Sequence, residues 1–205
     1  MGRKKEIDYE AIKKKIKELD KVSFLSHGEN DDNGFQIFTP DFIVDGMMKA
    51  IGYSKIEDFS KTILEPTSGD GAFTCRILER RLNKAWKDKE TFVPQSLRAL
   101  STIYSIEMDK SLIEIQRNNI FTIFMSFVKK GHLEDEKYID LIKEIIARNF
   151  IWGMFNSDNE ITQLSPDVVY RMPEATKQNL IPLQFPVWTI NDDLSHSLRY
   201  EDVDV

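Results

Sequence analysis

The residues best placed to do chemistry gather between Glu65 and Phe73, in the run Glu-Pro-Thr-Ser-Gly-Asp-Gly-Ala-Phe. Residues 61–64 ahead of this run read as a short strand, and residues 72–87 behind it read as a helix. A loop that passes from a strand into a helix aims backbone N–H groups at a ligand lying off the C-terminal edge of a sheet. Gly69 and Gly71 permit positive φ and a close ligand approach. A dinucleotide-binding loop wants a third glycine, where this chain has Thr74. The loop also carries Glu65 and Asp70. Two carboxylates would repel a pyrophosphate; they suit a cationic, phosphate-free ligand.

A second strand, Thr102–Ile106, is rich in β-favouring residues and ends on Glu107. A carboxylate at that point can accept hydrogen bonds from both hydroxyls of a ribose. The loop and Glu107 together describe a site for a nucleoside that carries positive charge, such as the sulfonium and ammonium of S-adenosylmethionine. The alternative is that both acids complement the dipoles of following helices.

The elements that must hold these groups follow from periodicity and punctuation. Residues 5–20 read as a helix, with Ile7, Ile12, Ile16 and Leu19 on one stripe and Lys13, Lys14, Lys15 and Lys17 mostly away from it. Residues 26–36 are a polar linker. Thr39 is expected to cap a helix with Pro40 in its first position, ending at Ile51 before Gly52. Residues 88–99 are expected to be a polar connection. Asp109 should cap a helix that reaches Lys130 and stops at Gly131. A helix over 135–147 has Leu141, Ile142, Ile145 and Ile146 inside, and a third strand covers 150–152. The alternation predicts an α/β fold, with a parallel sheet and helices on both faces. Residues 156–205 hold four of the seven prolines and are expected to be irregular, with short strands at 168–170 and 185–190. The divisions are thus 1–37, a helix and linker; 38–155, the ligand-binding domain; and 156–205, an irregular segment.

Composition bounds the setting. With 205 residues, 41% hydrophobic and 30% charged, the chain suits one α/β domain with small additions. No apolar run approaches the ~20 residues of a membrane span, and no apolar stretch follows the basic N-terminus as in a secretory signal. One cysteine excludes an intrachain disulfide and a multi-cysteine zinc site. A cytoplasmic protein is expected. The net charge of -6 argues that any grip on nucleic acid is shared with another polypeptide. Cys75 reads as a small packed residue rather than a nucleophile. His27, His132 and His196 lack metal-ligand spacing, so no metal site is expected. Phe121, Phe124 and Phe127 read as core, and Trp188 as a residue that covers a sheet edge or meets a partner.

Three of these motifs, in this order, resemble the amino-methylating DNA methyltransferases of restriction–modification systems. Phe38-Thr39-Pro40 resembles the family's upstream F-x-T-P motif, whose Thr and Pro lie near the methionine end of S-adenosylmethionine. Leu64 to Phe73 looks like its L-E-P-[AS]-x-G-x-G-x-F loop, which maps Glu65, Pro66, Gly69, Asp70, Gly71 and Phe73 onto the cofactor site. Ile103 to Asp109 is similar to its G-x-E-[IL]-D motif. There the resemblance gives Glu107 the ribose and Met108 the adenine ring, and it lets Phe155 stack. An upstream motif placed before the loop is the order of the adenine-N6 enzymes. The resemblance covers residues 35–155. It implies a Rossmann-like methyltransferase fold with an N-terminal helical extension, S-adenosyl-L-methionine as cofactor, and DNA as the partner macromolecule.

Two departures stand out. Where the family places an Asp that accepts from the cofactor's adenine, this chain has Met154, a loss of one hydrogen bond on the order of 1 kcal/mol. The [Asn/Asp]-Pro-Pro-[Tyr/Phe] loop that activates the adenine amine occurs nowhere in the sequence. The nearest segment, Asp167 to Glu174, has Met172 and Glu174 at the positions of the Asn and the second Pro. No catalytic residue is therefore assigned. Either this loop has decayed, leaving a non-catalytic binding module, or the fold is incomplete and the loop and target recognition come from a partner subunit or from further C-terminal sequence. The latter is the expectation. Methylation of a different amine substrate is a third possibility.

Overall fold

A computed structural model describes residues 39–155, 161–163, 181–182 and 184–202. The helix expected at 5–20, Phe38, the strand expected at 168–170 and the segment 172–174 lie outside the described residues, as do the side chains of Met154 and Phe155.

The chain begins with α1 (Asp41–Ile51) and the single turn α2 (Tyr53–Ile56), which lead to β1 (Ile63–Glu65). Then follow α3 (Ala72–Ala85), α4 (Phe92–Ser101), β2 (Ile103–Glu107), α5 (Lys110–Gly131), α6 (Glu136–Asn149) and β3 (Phe150–Phe155). Short strands β4 (Ile161–Gln163) and β5 (Ile181–Pro182) precede β6 (Gln184–Ile190) and β7 (His196–Asp202). β1, β2 and β3 run parallel in that order, and β4 and β5 extend the sheet antiparallel. The architecture is mixed α/β around three parallel strands. Among the described residues no helix is long and apolar enough to cross a membrane.

Local chemistry explains most of the helices. Asp109 caps α5 by accepting from the backbone N–H groups of Ser111 (2.7 Å) and Leu112 (3.3 Å), and Asp135 caps α6 by accepting from Tyr138 (3.0 Å). α3 buries Thr74, Ile77, Leu78, Arg81, Leu82 and Ala85, one stripe at helical spacing. Ile77, Leu78, Leu82 and Ala85 join Ile103 and Phe150 of the sheet and the inner faces of α5 and α6 in one large core. Within it Phe124 is fully buried, as the helical spacing of the three phenylalanines predicts.

Four expectations need correction. Residues 88–99 are not merely a connection: Phe92–Ser101 is a helix that buries Phe92, Leu97 and Leu100. Pro94 is tolerated because it falls in the first turn, where backbone N–H groups lack intrahelical acceptors. Thr39 does not cap α1. Pro40 occupies the N-cap, and its carbonyl accepts from Ile43 (2.9 Å) and Val44 (3.2 Å). α5 ends on His132 in the left-handed region (φ 53°), while Gly131 remains helical, at a place where Leu133 and Trp86 would crowd a side chain. Finally, among the described residues the second sheet face is packed by a strand side chain and not by a helix. The second face presents Leu64, Tyr104, Ile106 and Ile151, and the side chain packed on them is Phe185 of β6.

Residues 184–202 are accordingly a regular hairpin, with β6 and β7 in register from Gln184↔Asp202 to Ile190↔His196. Tyr104 Oη donates to the carbonyl of Pro186 (2.6 Å), and Trp188 Nε1 donates to Asn149 Oδ1 (2.8 Å). Trp188 thus packs on this chain's own core.

Buried Arg81 ties the opposite end of the sheet. Its guanidinium donates to the carbonyls of Ile56 (2.7 Å), Lys61 (2.8 Å), Asp58 and Ala99 (3.3 Å each), and to Thr102 Oγ1 (2.7 Å). Burial lowers its pKa to about 10, which leaves it charged at neutral pH.

Candidate functional site

The loop expected between strand and helix runs from Glu65, the last residue of β1, to Gly71, the N-cap of α3. Its backbone is tethered to β2 by Ser68 N–H donating to Ile106 O (3.1 Å), and it closes on itself through Gly71 N–H to Ser68 O (2.9 Å). Gly69 (φ 55°) and Gly71 (φ 93°) both lie in the left-handed region, where a Cβ is unfavourable. The space around them differs. A Cβ on Gly69 would have nothing within 4 Å, whereas one on Gly71 would stand 2.5 Å from Gln116 Cγ. The loop is therefore open at Gly69 and packed at Gly71.

Glu107 meets this loop directly. Its Oε2 accepts from Gly69 N–H at 2.7 Å, and its Oε1 accepts from Asp109 N–H at 2.9 Å. The amide that would cradle a phosphate in a dinucleotide site is thus taken by a carboxylate. A second phosphate-repelling group stands beside it, because the register Glu65↔Ser105 sets Glu65 on the neighbouring strand end. Burial raises the pKa of the Glu65 carboxyl above its ordinary value. Each oxygen of Glu107 keeps lone-pair capacity for a ligand hydroxyl.

The other predicted residues divide around the loop. A cavity of about 410 Å³ beside it is lined by Thr39, Asp41, Asp70, Gly71, Arg76 and Asn119, among others. The start of α1 at Asp41 leaves the Thr39 side chain free of a capping role and places it in this cavity. Asn119 Nδ2 donates to Asp70 O (3.3 Å), and Arg76 is held by Asp45 (3.2 Å) and Glu79 (2.9 Å). The lining takes in Thr39 and Gly71 but not Glu107, which meets the loop at Gly69. Pro40 caps α1 next to Thr39. Pro66 is half-buried within the loop, and Phe73 packs against the large core. Cys75 also lines the cavity; burial first, then Asp70 and Glu79, push its thiol up to about 12.

Met108 follows Glu107 with its side chain 55% exposed. Its carbonyl accepts from Trp152 Nε1 (2.8 Å), and Trp152 stands opposite Glu107 in the register of β2 and β3. Lys110 Nζ lies 5.5 Å from the centroid of the Trp152 ring. The backbone of Phe155 ends β3.

Two participants escape sequence reasoning. Trp152 is legible as an aromatic on the third strand, but its pairing with Met108 depends on register. Gln116 carries a weak signal, a polar residue in the stripe Leu112, Ile113, Ile120, Phe124 that α5 buries. Among the described residues no group of three or more His, Cys, Asp or Glu side chains could hold a metal ion.

The donor set tests which ligand fits. Carboxylates at Glu65, Asp70 and Glu107, and a loop amide already accepted by Glu107, favour a cationic ligand over a pyrophosphate. Comparison with protein-family models, curated proteins and solved structures gives no significant match.

Proposed function

We propose that this chain is the S-adenosylmethionine-binding part of an adenine-N6 DNA methyltransferase of the restriction–modification type, with a Rossmann-like methyltransferase core. The observation that carries the reading is the contact between Glu107 and Gly69 N–H at 2.7 Å. It joins the acidic end of β2 to a glycine loop that starts from the acidic end of β1 and lacks the third glycine of a dinucleotide site. Glu107 would hold the ribose hydroxyls, and Met108 would pack on the adenine. Phe155 would stack beside it. Thr39, Pro40 and Asp70, with Phe38 just upstream, would meet the methionine end. The bound cofactor supplies an activated methyl group; this chain's residues bind and orient it.

Methyl transfer needs more than this. The sequence contains no Asn-Pro-Pro-aromatic tetrapeptide to draw charge from an adenine amine. In this reading a partner polypeptide or additional sequence supplies that loop and recognises the DNA. The net charge of -6 agrees with shared DNA contact, and a single cysteine agrees with a cytoplasmic setting.

Titration calorimetry with S-adenosylmethionine and S-adenosylhomocysteine tests the reading, with NAD and ATP as controls. Binding of the first two, and not of the controls, is expected. Absence of binding at millimolar ligand overturns the reading. Labelled methyl transfer to adenine in duplex DNA is expected only when a polypeptide bearing the Asn-Pro-Pro-aromatic loop is added. The missing tetrapeptide and Met154 also fit a second reading, a binding module that keeps the fold without the chemistry. A downstream reading frame that opens with a strand and such a loop favours the first reading over the second.

A further inference from the structure

We propose that Gln116 is a positioning residue for the glycine loop: its buried carboxamide fixes the two ends of the Ser68–Gly71 turn, so that the turn presents Gly69 and Asp70 to a ligand. The consequence for ligand affinity rests on the cofactor-binding reading above; the consequence for the loop does not.

Gln116 is fully buried on α5, in line with Ile113 and Ile120. A carboxamide at such a place is unfavourable unless every polar atom finds a partner. Its partners all come from hydroxyls around the loop. Oε1 accepts from Ser68 Oγ (3.0 Å) in the loop and from Ser105 Oγ (3.0 Å) in β2. Nε2 donates to Thr74 Oγ1 (2.7 Å) in the first turn of α3. Because Thr74 Oγ1 accepts that proton, its own hydroxyl proton is directed at Gly71 O, 3.1 Å away. Ser68 and Gly71 are the two ends of the turn closed by Gly71 N–H to Ser68 O at 2.9 Å. One side chain thereby governs both.

The packing agrees with the polar contacts. Gln116 Cγ fills the space a side chain at position 71 would need, at 2.5 Å from an ideal Cβ, whereas position 69 faces open space. Gln116 supports the loop from beneath, and Glu107 holds it at Gly69 N–H. Gln116 lines neither the cavity nor the Glu107 contact, so its effect on a ligand must pass through the loop.

The test uses the full chain, with Gln116→Met to keep shape and remove the polar contacts. Tyr138→Phe serves as the control, since it deletes a buried hydrogen bond to Ser96 (2.6 Å) away from the loop. Amide hydrogen exchange is followed over residues 66–74 and 138–150, and S-adenosylhomocysteine affinity by calorimetry. Gln116→Met removes all three bonds of the carboxamide, so it should speed exchange at 66–74 by about tenfold while leaving 138–150 near the wild-type rate, and weaken the ligand by about tenfold. Tyr138→Phe should leave both loop exchange and affinity near wild type. Should Gln116→Met fail to fold, Ser105→Ala removes one of the same bonds and should give the same pattern at roughly threefold. Unchanged exchange at 66–74, or acceleration equal in both regions, overturns the proposal. Faster loop exchange in a chain whose wild type binds no ligand upholds the loop role and overturns the cofactor reading instead.

Discussion

Replacing each loop glycine by alanine separates conformational strain from crowding. Gly69 has φ 55° and open space where an alanine methyl would stand, so Gly69→Ala should cost only the left-handed penalty, roughly 1–2 kcal/mol. Gly71 has φ 93°, and its methyl would stand 2.5 Å from Gln116 Cγ and 3.0 Å from Thr74 Oγ1. Gln116 cannot retreat without breaking its bonds to Ser68, Ser105 and Thr74. An overpacking cost of about 1–3 kcal/mol adds to the strain, for a total of roughly 2–5 kcal/mol. Urea denaturation followed by tryptophan fluorescence and circular dichroism measures both variants. In a Gln116→Ala background the clash with Cγ is gone, so Gly71→Ala should fall back toward the Gly69→Ala cost. The resulting coupling of about 1–3 kcal/mol is the signature of direct contact. Equal destabilisation by the two alanines, within about 0.5 kcal/mol, or a double-mutant cycle with no coupling, would refute the packing of Gln116 beneath Gly71.

Arg81→Met should destabilise the fold by roughly 3–5 kcal/mol in the same urea assay, because the carbonyls of Ile56, Lys61 and Ala99 lose their shared donor at about 1–3 kcal/mol each before relaxation. Glu65, whose pKa is raised by burial, binds its proton more tightly folded than unfolded. Its contribution is present below the ordinary glutamate pKa and is lost as pH rises through the raised value. Glu65→Gln should therefore flatten the fall in stability over that interval and gain less than about 1 kcal/mol at neutral pH, since the group is only half-buried; a steeper fall would contradict the burial. Cys75, with its thiol pushed from 9.0 to about 12, should react with iodoacetamide at pH 8 roughly a thousandfold more slowly than an ordinary thiol, and urea should restore the normal rate.

Much of the site can be read from the sequence because its parts are local. Two glycines between a strand and a helix make a turn in left-handed geometry, and acids at 109 and 135 cap the helices they precede. The apolar stripes of α3 and α6 follow from helical spacing. Glu107 at the end of β2 is also legible, because a strand rich in β-formers delivers its last side chain to the sheet edge. Helix α4 is hidden in the sequence, because the polar run from Lys87 to Thr91 ahead of it and Pro94 within it mask a stripe that begins at Phe92. The cap of α1 falls one residue later than Thr39, since Pro40 and Thr39 are both acceptable at a helix start and only the first accepted bond distinguishes them.

What the sequence by itself determined is the order of strand, glycine loop, helix and acidic strand end, since each is set by backbone preference within a few residues. Only the tertiary structure decided what those pieces touch. Glu107 reaches Gly69 across 38 residues, Gln116 reaches Ser68 across 48, and Tyr104 reaches Pro186 across 82. No local periodicity encodes such pairings. They arise when burial forces each enclosed polar atom to find a partner, and that partner is whichever group the packed sheet and helices bring within hydrogen-bond distance.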